Sequence, residues 1–348
     1  MKVGIIGAGA TGLSAARFLC NAGHEVVVFE QFSLGHDRGS SHGTSRITRK
    51  TYADSYYTAL MEEVFPLWSD FEAEANEQVY VETGILFFGK QESVQLREAR
   101  ASLVQNKVRF ESYGPIDAAR KFSGFHLDPD EEAIFQFEAG YLRAARILEI
   151  LRGKVLDSGG RIVEGFRVEP NENGVIGGEQ FDAVLITAGS WVREFVDIPV
   201  EPRLQTFAYF AGEAMPNLPV WVEASDAWFY GFPDYGRGYK IGRHLYGPAL
   251  NPSEPERPED SEAVEALRET WKKRFGVGEM VQICRCIYTV APNEDFLIGQ
   301  LDWKVPAFYI SGCSGHGFKF TVWFGWLARE LIEGRKTVAD YPRFSARR

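Results

Sequence analysis

The sequence predicts an α/β fold in two interlocked domains, and three observations carry that expectation. The 348 residues exceed the usual size of a single domain. The apolar run Lys2–Ile6 leads directly into Gly7, Gly9 and Gly12, followed by a helical pattern from Leu13 to Ala22. Gly23 then stops the helix, and Glu25–Phe29 reads as a second buried strand ending at Glu30. This is G-x-G-x-x-G with a strand before it and a helix after it, the opening of a Rossmann-like unit. Gly7 permits the tight turn, Gly9 lets a pyrophosphate approach the backbone, and Gly12 lets helix and strand pack closely. The helix N-terminus offers unpaired N–H groups and a positive dipole end to phosphates. Glu30, 18 positions beyond Gly12, is placed to accept hydrogen bonds from ribose hydroxyls. The fingerprint indicates a dinucleotide and does not choose between NAD and FAD.

Composition bounds the rest. Hydrophobic residues make up 45% and charged residues 25%, a globular balance. A net charge of −10 argues against a nucleic-acid binder, which needs a basic face, and gives no reason to expect an anionic membrane. Four cysteines do not make a disulfide scaffold. The chain shows no signal-peptide pattern and no apolar run of membrane-spanning length; the stretch Phe320–Leu331 is broken by Arg329 and Glu330 and reads as a packed helix. A cytoplasmic setting is expected, with no metal: Cys284 and Cys286 form an isolated pair with no second pair to complete a tetrahedral site.

Four further segments carry chemistry-bearing residues. In Gly39–Lys50, GSSHGTSRITRK, the residues His42, Arg46 and Arg49 fall at i, i+4 and i+7, so a helical turn would gather them on one face suited to an anion. A solvated basic loop is the alternative, and spacing leaves both open. Val184–Val192 reads as an apolar strand running into a turn at Gly189, suited to approach a cofactor phosphate or adenosine, or to simple packing. In Tyr230–His244, Lys240 and His244 share one face of a strand-like alternation. In Ser311–Phe320, the residues Gly312, Gly315 and Gly317 precede a helix running to about Gly334, and Lys319 opens that helix. Clustered glycines let backbone N–H groups approach an anionic oxygen.

These motifs, GSSHGTSRITR, FYGFPDYGRGYKIGRH at Phe229–His244, CIYTVAPNEDFLIG at Cys286–Gly299 and SGCSGHGFKF at Ser311–Phe320, occur in one order along the whole chain. In that order the sequence resembles the monomeric sarcosine oxidase group, with the N-methyltryptophan and pipecolate oxidases, of the D-amino-acid-oxidase-like flavoproteins.

The resemblance implies FAD as cofactor and a second, mixed-sheet α+β substrate domain. It divides the chain into a discontinuous FAD-binding domain, residues 1–76, 138–202 and 284–348, and a substrate domain, residues 77–137 and 203–283. Within the latter, Ser261–Arg274 is patterned as a helix, and Asn251–Asp260, which precedes it, reads as a surface loop. It further implies covalent attachment of the flavin through Cys286, and a water-mediated place beside the flavin for Lys240, where it promotes reaction with oxygen. Arg49 and Lys319 match the residues that hold a substrate carboxylate. Tyr230, His244 and Tyr288 match active-site positions, and Ser41, His42, Arg46, Gly189, Gly315, Gly317 and Lys319 fall on the cofactor side. The implied reaction oxidises the C–N bond of a secondary amino acid to an imine, with O2 reduced to H2O2, in a monomer. A dehydrogenase, a glycine or D-amino-acid oxidase and a non-catalytic flavin-binding subunit are the alternatives. The pocket loops that would identify the amine are not readable.

Overall fold

The computed structural model describes every residue except Ser123, Pro255, Arg347 and Arg348, so Pro255 of the expected surface loop and the last two residues of the expected FAD-binding domain lie outside it. The first sheet grows from the N-terminal unit. Lys2–Ile6 and Glu25–Phe29 pair in parallel, joined by the helix Ala10–Asn21. The helix starts three residues before the expected Leu13, because the turn closes at Gly9 and Leu13 N–H already bonds to the Gly9 carbonyl. Gly23 sits at φ +82°, the left-handed stop expected of it. Ala183–Ile186 and Ala307–Ser311 extend the parallel sheet on one side and Arg161–Val163 on the other, with Leu297–Leu301 closing one edge antiparallel. Its central strands are apolar on both faces, and the face away from the helices packs on Ile176, Phe181, Val192, Ile198 and Val200. The helices Ala10–Asn21, Ser55–Ala75, Ala144–Asp157 and Thr321–Ile332 share one core with it.

The second sheet has eight strands in the order Gly278–Val290, Glu201–Gly212, Tyr239–Arg243, Phe229–Phe232, Val220–Glu223, Ile85–Lys90, Glu131–Gln136 and Phe110–Tyr113. Only Val220–Glu223 and Ile85–Lys90 pair in parallel. Period-two alternation splits its faces. Leu86 and Phe88 pack under the helix Ser261–Phe275, whereas Ile85 and Phe87 pack with the helix Val94–Gln105. Arg46–Thr48, Gly140–Leu142 and Tyr80–Glu82 form a small antiparallel sheet. The Gly278–Val290 strand is continuous and carries both Cys284 and Cys286.

Neither reading left open for the basic segment describes it fully. The segment holding His42, Arg46 and Arg49 is not helical: Gly43 adopts φ +94°, and Arg46–Thr48 is a strand paired with Gly140–Leu142. Serine, threonine and glycine are weak helix formers, and the partner strand supplies the backbone bonds that a helix would have made.

The larger sheet is pinned to its helix by a buried ion cluster. Arg274, fully buried, donates to both oxygens of Glu131 at 2.6 and 2.8 Å and to Glu223 at 3.0 and 3.1 Å. Removing one member of such a cluster strands the others, so Arg274→Met is expected to lower unfolding free energy by about 3–5 kcal/mol. Denaturant unfolding measures this; a loss below about 1 kcal/mol would show that the carboxylates are solvated, as surface pairs are.

Candidate active site

Two adjoining cavities lie against the motif residues. The narrower, about 180 Å³, runs along Gly7–Thr11, Glu30, Ser40–His42, Gly189–Trp191 and Ser311–Cys313. Its floor depends on two glycines. A Cβ on Gly12 would stand 1.9 Å from the Gly7 carbonyl oxygen, and one on Gly7, at φ +101°, 2.6 Å from that of Thr187. A Cβ on Gly9 meets only Ser41 Oγ, at 3.2 Å, so this side of the turn is open to a ligand. No side chain of Gly9 caps the helix, and Ser41 Oγ accepts from Ala10 N–H at 3.1 Å. Glu30 is buried and accepts from Ala8 and Phe32 N–H, each at 3.0 Å. Burial opposes its ionisation, but the His36 contact and the two backbone donors outweigh it and hold the carboxyl below its ordinary pKa. Buried polar atoms without partners, His42 Nε2 and Ser311 Oγ, belong to this cavity's walls. A groove with glycine backbone, a helix N-terminus, an ionised acid and unsatisfied polar atoms fits the adenine dinucleotide portion of FAD.

The wider cavity, about 510 Å³, is bounded by strands of the larger sheet and by the Gly315–Lys319 segment that follows the smaller one. It brings together Arg46, Arg49, Tyr230, Lys240, His244, Cys286, Tyr288, Gly315 and Lys319. Lys240 is 2% exposed, and its Nζ donates to the Ser45 carbonyl at 3.2 Å between the rings of Phe207 and Phe232. Lys319 is 5% exposed and donates to the His316 carbonyl at 2.8 Å. Burial lowers both lysines well below their ordinary pKa, with Arg46 adding repulsion at Lys240 and Arg49 at Lys319. Arg49 lies 4.3 Å over the Tyr52 ring, and its Nη1 is buried without a hydrogen-bond partner. Arg46 donates to the carbonyls of Ser40, His42 and Ser45, folding the preceding loop around itself. Burial, then Arg46, brings His42 down to about 4, so its ring is neutral.

Lys240 lies inside the Tyr239–Arg243 strand and His244 one residue beyond its end, and both reach the cavity. Cys286 is buried against Phe207 and Tyr209 and lines the cavity; Cys284, on the same strand face, is only half-buried and does not line it. Burial pushes the Cys286 thiol up, and Arg46 and Lys240 pull it back. Gly315, at φ +80°, is required by Tyr288: a Cβ there would meet the ring at 2.1 Å. Gly317 lines neither cavity; it makes room for Cys313, whose Cβ would be 2.6 Å from its own.

Sequence reasoning missed several walls of this cavity: Tyr52, Tyr57, Asp295, His316 and Arg343. Tyr57 Oη and Arg343 Nε donate to Asp295 Oδ1 at 2.9 and 2.7 Å. His316 Nε2 donates to the Glu294 carbonyl at 2.9 Å, and its ring stacks on Phe296. Asp295 and His316 stand inside motifs already noted, but no local pattern separates a cavity wall from core.

A dinucleotide-fingerprint α/β sheet joined to a larger mixed sheet, with a cavity rich in basic side chains at their junction, is an architecture suited to a two-domain dinucleotide-dependent oxidoreductase. The family model described as FAD dependent oxidoreductase matches residues 2–331, and the chain belongs to that family. It is 28% identical to the peroxisomal sarcosine oxidase of Homo sapiens over 94% of this chain and 90% of that protein. It is 27% identical to the N-methyl-L-tryptophan oxidase of Yersinia pestis over 99% and 98%. Among solved structures, NikD, an amino acid oxidase essential for nikkomycin biosynthesis, superposes with TM-score 0.86 at 21% identity, covering 99% of this chain and 96% of that one. The L-proline dehydrogenase of P. horikoshii superposes with TM-score 0.85 at 19% identity, over 99% and 96%. No helix among the described residues is long and apolar enough to cross a membrane.

His316 generates a pH prediction. Burial, then Lys319, holds its folded pKa at about 3, below the ordinary 6.5. The fold therefore favours the neutral ring, and the stability this contributes is full above pH 6.5 and is lost as pH falls toward 3. His42, at about 4, acts in the same window. Unfolding free energy is expected to decline between pH 6.5 and about 5, before most carboxylates titrate, and to decline less steeply in His316→Gln. An identical slope in the variant would mean that the ring is hydrated and titrates as in the unfolded chain.

Proposed function

We propose that this chain is an FAD-dependent oxidase of secondary amino acids, N-alkyl or cyclic, with the flavin attached through Cys286. The observation that carries this reading is the wider cavity itself. Arg49, Lys240 and Lys319 converge there, and among the described residues none of the three is ion-paired to a carboxylate. Buried cations satisfied by carbonyls, or by nothing, fit a site that receives an anion from outside. FAD, when bound, takes two electrons from the C–H bond beside the substrate nitrogen and passes them to O2, so that amine and oxygen become imine and hydrogen peroxide.

The residues 1–76, 138–202 and 284–348 form the cofactor domain and 77–137 and 203–283 the substrate domain; the cofactor domain also sends Arg49, Tyr288 and Lys319 into the substrate cavity, and the Gly278–Val290 strand brings Cys286 across. Arg49 and Lys319 take the amino-acid carboxylate. Their charge, with that of Arg46, disfavours an ammonium in the same cavity, so the substrate nitrogen is held neutral without a dedicated base. Lys240 serves the oxygen side. Tyr230, His244 and Tyr288 shape the pocket, and the raised pKa of Tyr230, pushed up to about 12 mainly by burial, keeps it a hydrogen-bond donor.

Acid precipitation of the purified protein tests the attachment: yellow colour is expected in the pellet of the wild type and in the supernatant of Cys286→Ser. Colour released from the wild type would rule out the covalent link and leave the rest standing. Substrate choice is tested by peroxide release across N-methyl and cyclic amino acids; turnover only with an electron carrier in place of oxygen would overturn the oxidase reading. Arg49→Met is expected to raise KM for carboxylate substrates on the order of a hundredfold, as loss of a buried charge partner does. Flavin content should stay unchanged, and equal loss of both would remove Arg49 from the substrate role.

A further inference from the structure

The hairpin that delivers Lys240 carries a second functional side chain five positions earlier. Asp234 Oδ1 accepts from the N–H groups of Gly236, Arg237 and Gly238 at 2.7, 3.1 and 2.9 Å, and Gly236 and Gly238 take φ +99° and +87°. This closes the turn between the strands Phe229–Phe232 and Tyr239–Arg243. The locked turn projects Tyr235 across to the small sheet. Its ring stacks on Tyr141 with centroids 5.2 Å apart and planes at 30°. Its hydroxyl bonds to Ser45 Oγ at 2.7 Å and Thr44 Oγ1 at 2.9 Å, and Thr44 Oγ1 is held in turn by Tyr209 Oη at 3.0 Å.

Ser45 connects the tyrosine to the lysine. Its carbonyl accepts Lys240 Nζ at 3.2 Å and Arg46 Nη1 at 2.8 Å. For Lys240, enclosed by two phenylalanine rings, that carbonyl is the one hydrogen-bond acceptor among the described residues. The Ala144 N–H bond to the Thr44 carbonyl, at 2.9 Å, and strand pairing from Arg46 onward hold the backbone on either side, and the Tyr235 hydroxyl is the one side-chain partner of Ser45 Oγ among the described residues. A carbonyl in a loop can rotate away; one whose own side chain and neighbour's side chain are both tied to a stacked tyrosine has less freedom to do so. Tyr235 does not line the cavity, so its influence runs through Ser45 to Lys240.

We infer that Tyr235 is a positioning residue that fixes the Ser45 carbonyl and thereby aims the Lys240 ammonium for the oxygen-dependent half of the reaction. This rests on the role proposed above for Lys240. Tyr235→Phe keeps the ring and its stacking on Tyr141 and removes only the hydroxyl bonds.

The test compares Tyr235→Phe, Lys240→Met and the double variant as FAD-loaded enzyme by rapid mixing. Tyr235→Phe is expected to slow reoxidation of the reduced enzyme by O2 about two- to tenfold, the size a lost hydrogen bond gives. The rate of reduction by saturating substrate should stay unchanged. In the Lys240→Met background the same change should add nothing, since its target is gone. Amide hydrogen exchange supplies a readout apart from turnover, with faster exchange at Thr44–Arg46 expected in Tyr235→Phe. Ser45→Ala, which keeps the carbonyl and loses the tyrosine bond, should reproduce both effects more weakly. Normal reoxidation in Tyr235→Phe beside slow reoxidation in Lys240→Met would overturn the inference and leave the role of Lys240 standing. Multiplying effects in the double variant, or unchanged exchange at Thr44–Arg46, would also overturn it. Normal reoxidation in Lys240→Met itself would overturn both.

Discussion

Burial of basic side chains without carboxylate partners is the constraint around which this molecule is organised. A chain of net charge −10 gathers Arg46, Arg49, Lys240 and Lys319 around one cavity. Desolvating a cation costs several kcal/mol unless nearby groups replace its water. At Arg46, Lys240 and Lys319 those groups are carbonyl oxygens of Ser40, His42, Ser45 and His316, supplemented by aromatic faces at Tyr52, Phe207, Phe232 and Phe318. Carbonyls and rings offset part of the desolvation while leaving the charge unneutralised. A carboxylate partner would have stabilised the cations more and removed their attraction for a substrate anion.

That arrangement depends on how the two sheets meet. The larger sheet supplies Lys240 and Cys286, and the segment leaving the smaller one supplies Gly315 and Lys319. Close approach is permitted where a glycine stands: Gly315 makes room for the Tyr288 ring, and Gly12 lets the first helix sit directly on the turn at Gly7. The acidic residues are placed elsewhere. Glu131 and Glu223 neutralise Arg274 deep in the core of the larger sheet, while Asp295 ties Tyr57 to Arg343 at the cavity wall. The paired Arg274 thus lies in the core of the larger sheet, and Arg46, Arg49, Lys240 and Lys319, without a carboxylate partner among the described residues, line the cavity.

The parts of the fold that were legible are those whose causes are local. The strand Lys2–Ile6, the helix after it and the strand Glu25–Phe29 stand where periodicity and glycine spacing put them, because their contacts close within some thirty residues of chain. The helix Ser261–Phe275 matches its pattern to within a residue for the same reason, with Asp260 capping Ala263 N–H and Gly276 ending it. The spacing of His42–Arg49 left its structure open because its partner strand, Gly140–Leu142, lies almost a hundred residues away in sequence, a separation that local pattern cannot sense.

The sequence by itself determined a strand–helix–strand unit with a dinucleotide fingerprint, since glycine geometry and strand alternation act over a few residues, while Arg49, Cys286, Tyr288 and Lys319 of the wider cavity were named by the family resemblance. Only the tertiary structure decided which of those residues face one another. Cys286 rather than Cys284 reaches the cavity because of how deep each sits on a shared strand, and Gly317 serves Cys313 rather than either cavity. Tyr52, Asp295, His316 and Arg343 join the walls because packing of the two sheets brings together segments nearly three hundred residues apart. Burial, pKa and pairing are properties of that juxtaposition, and none of them is written in any one stretch of chain.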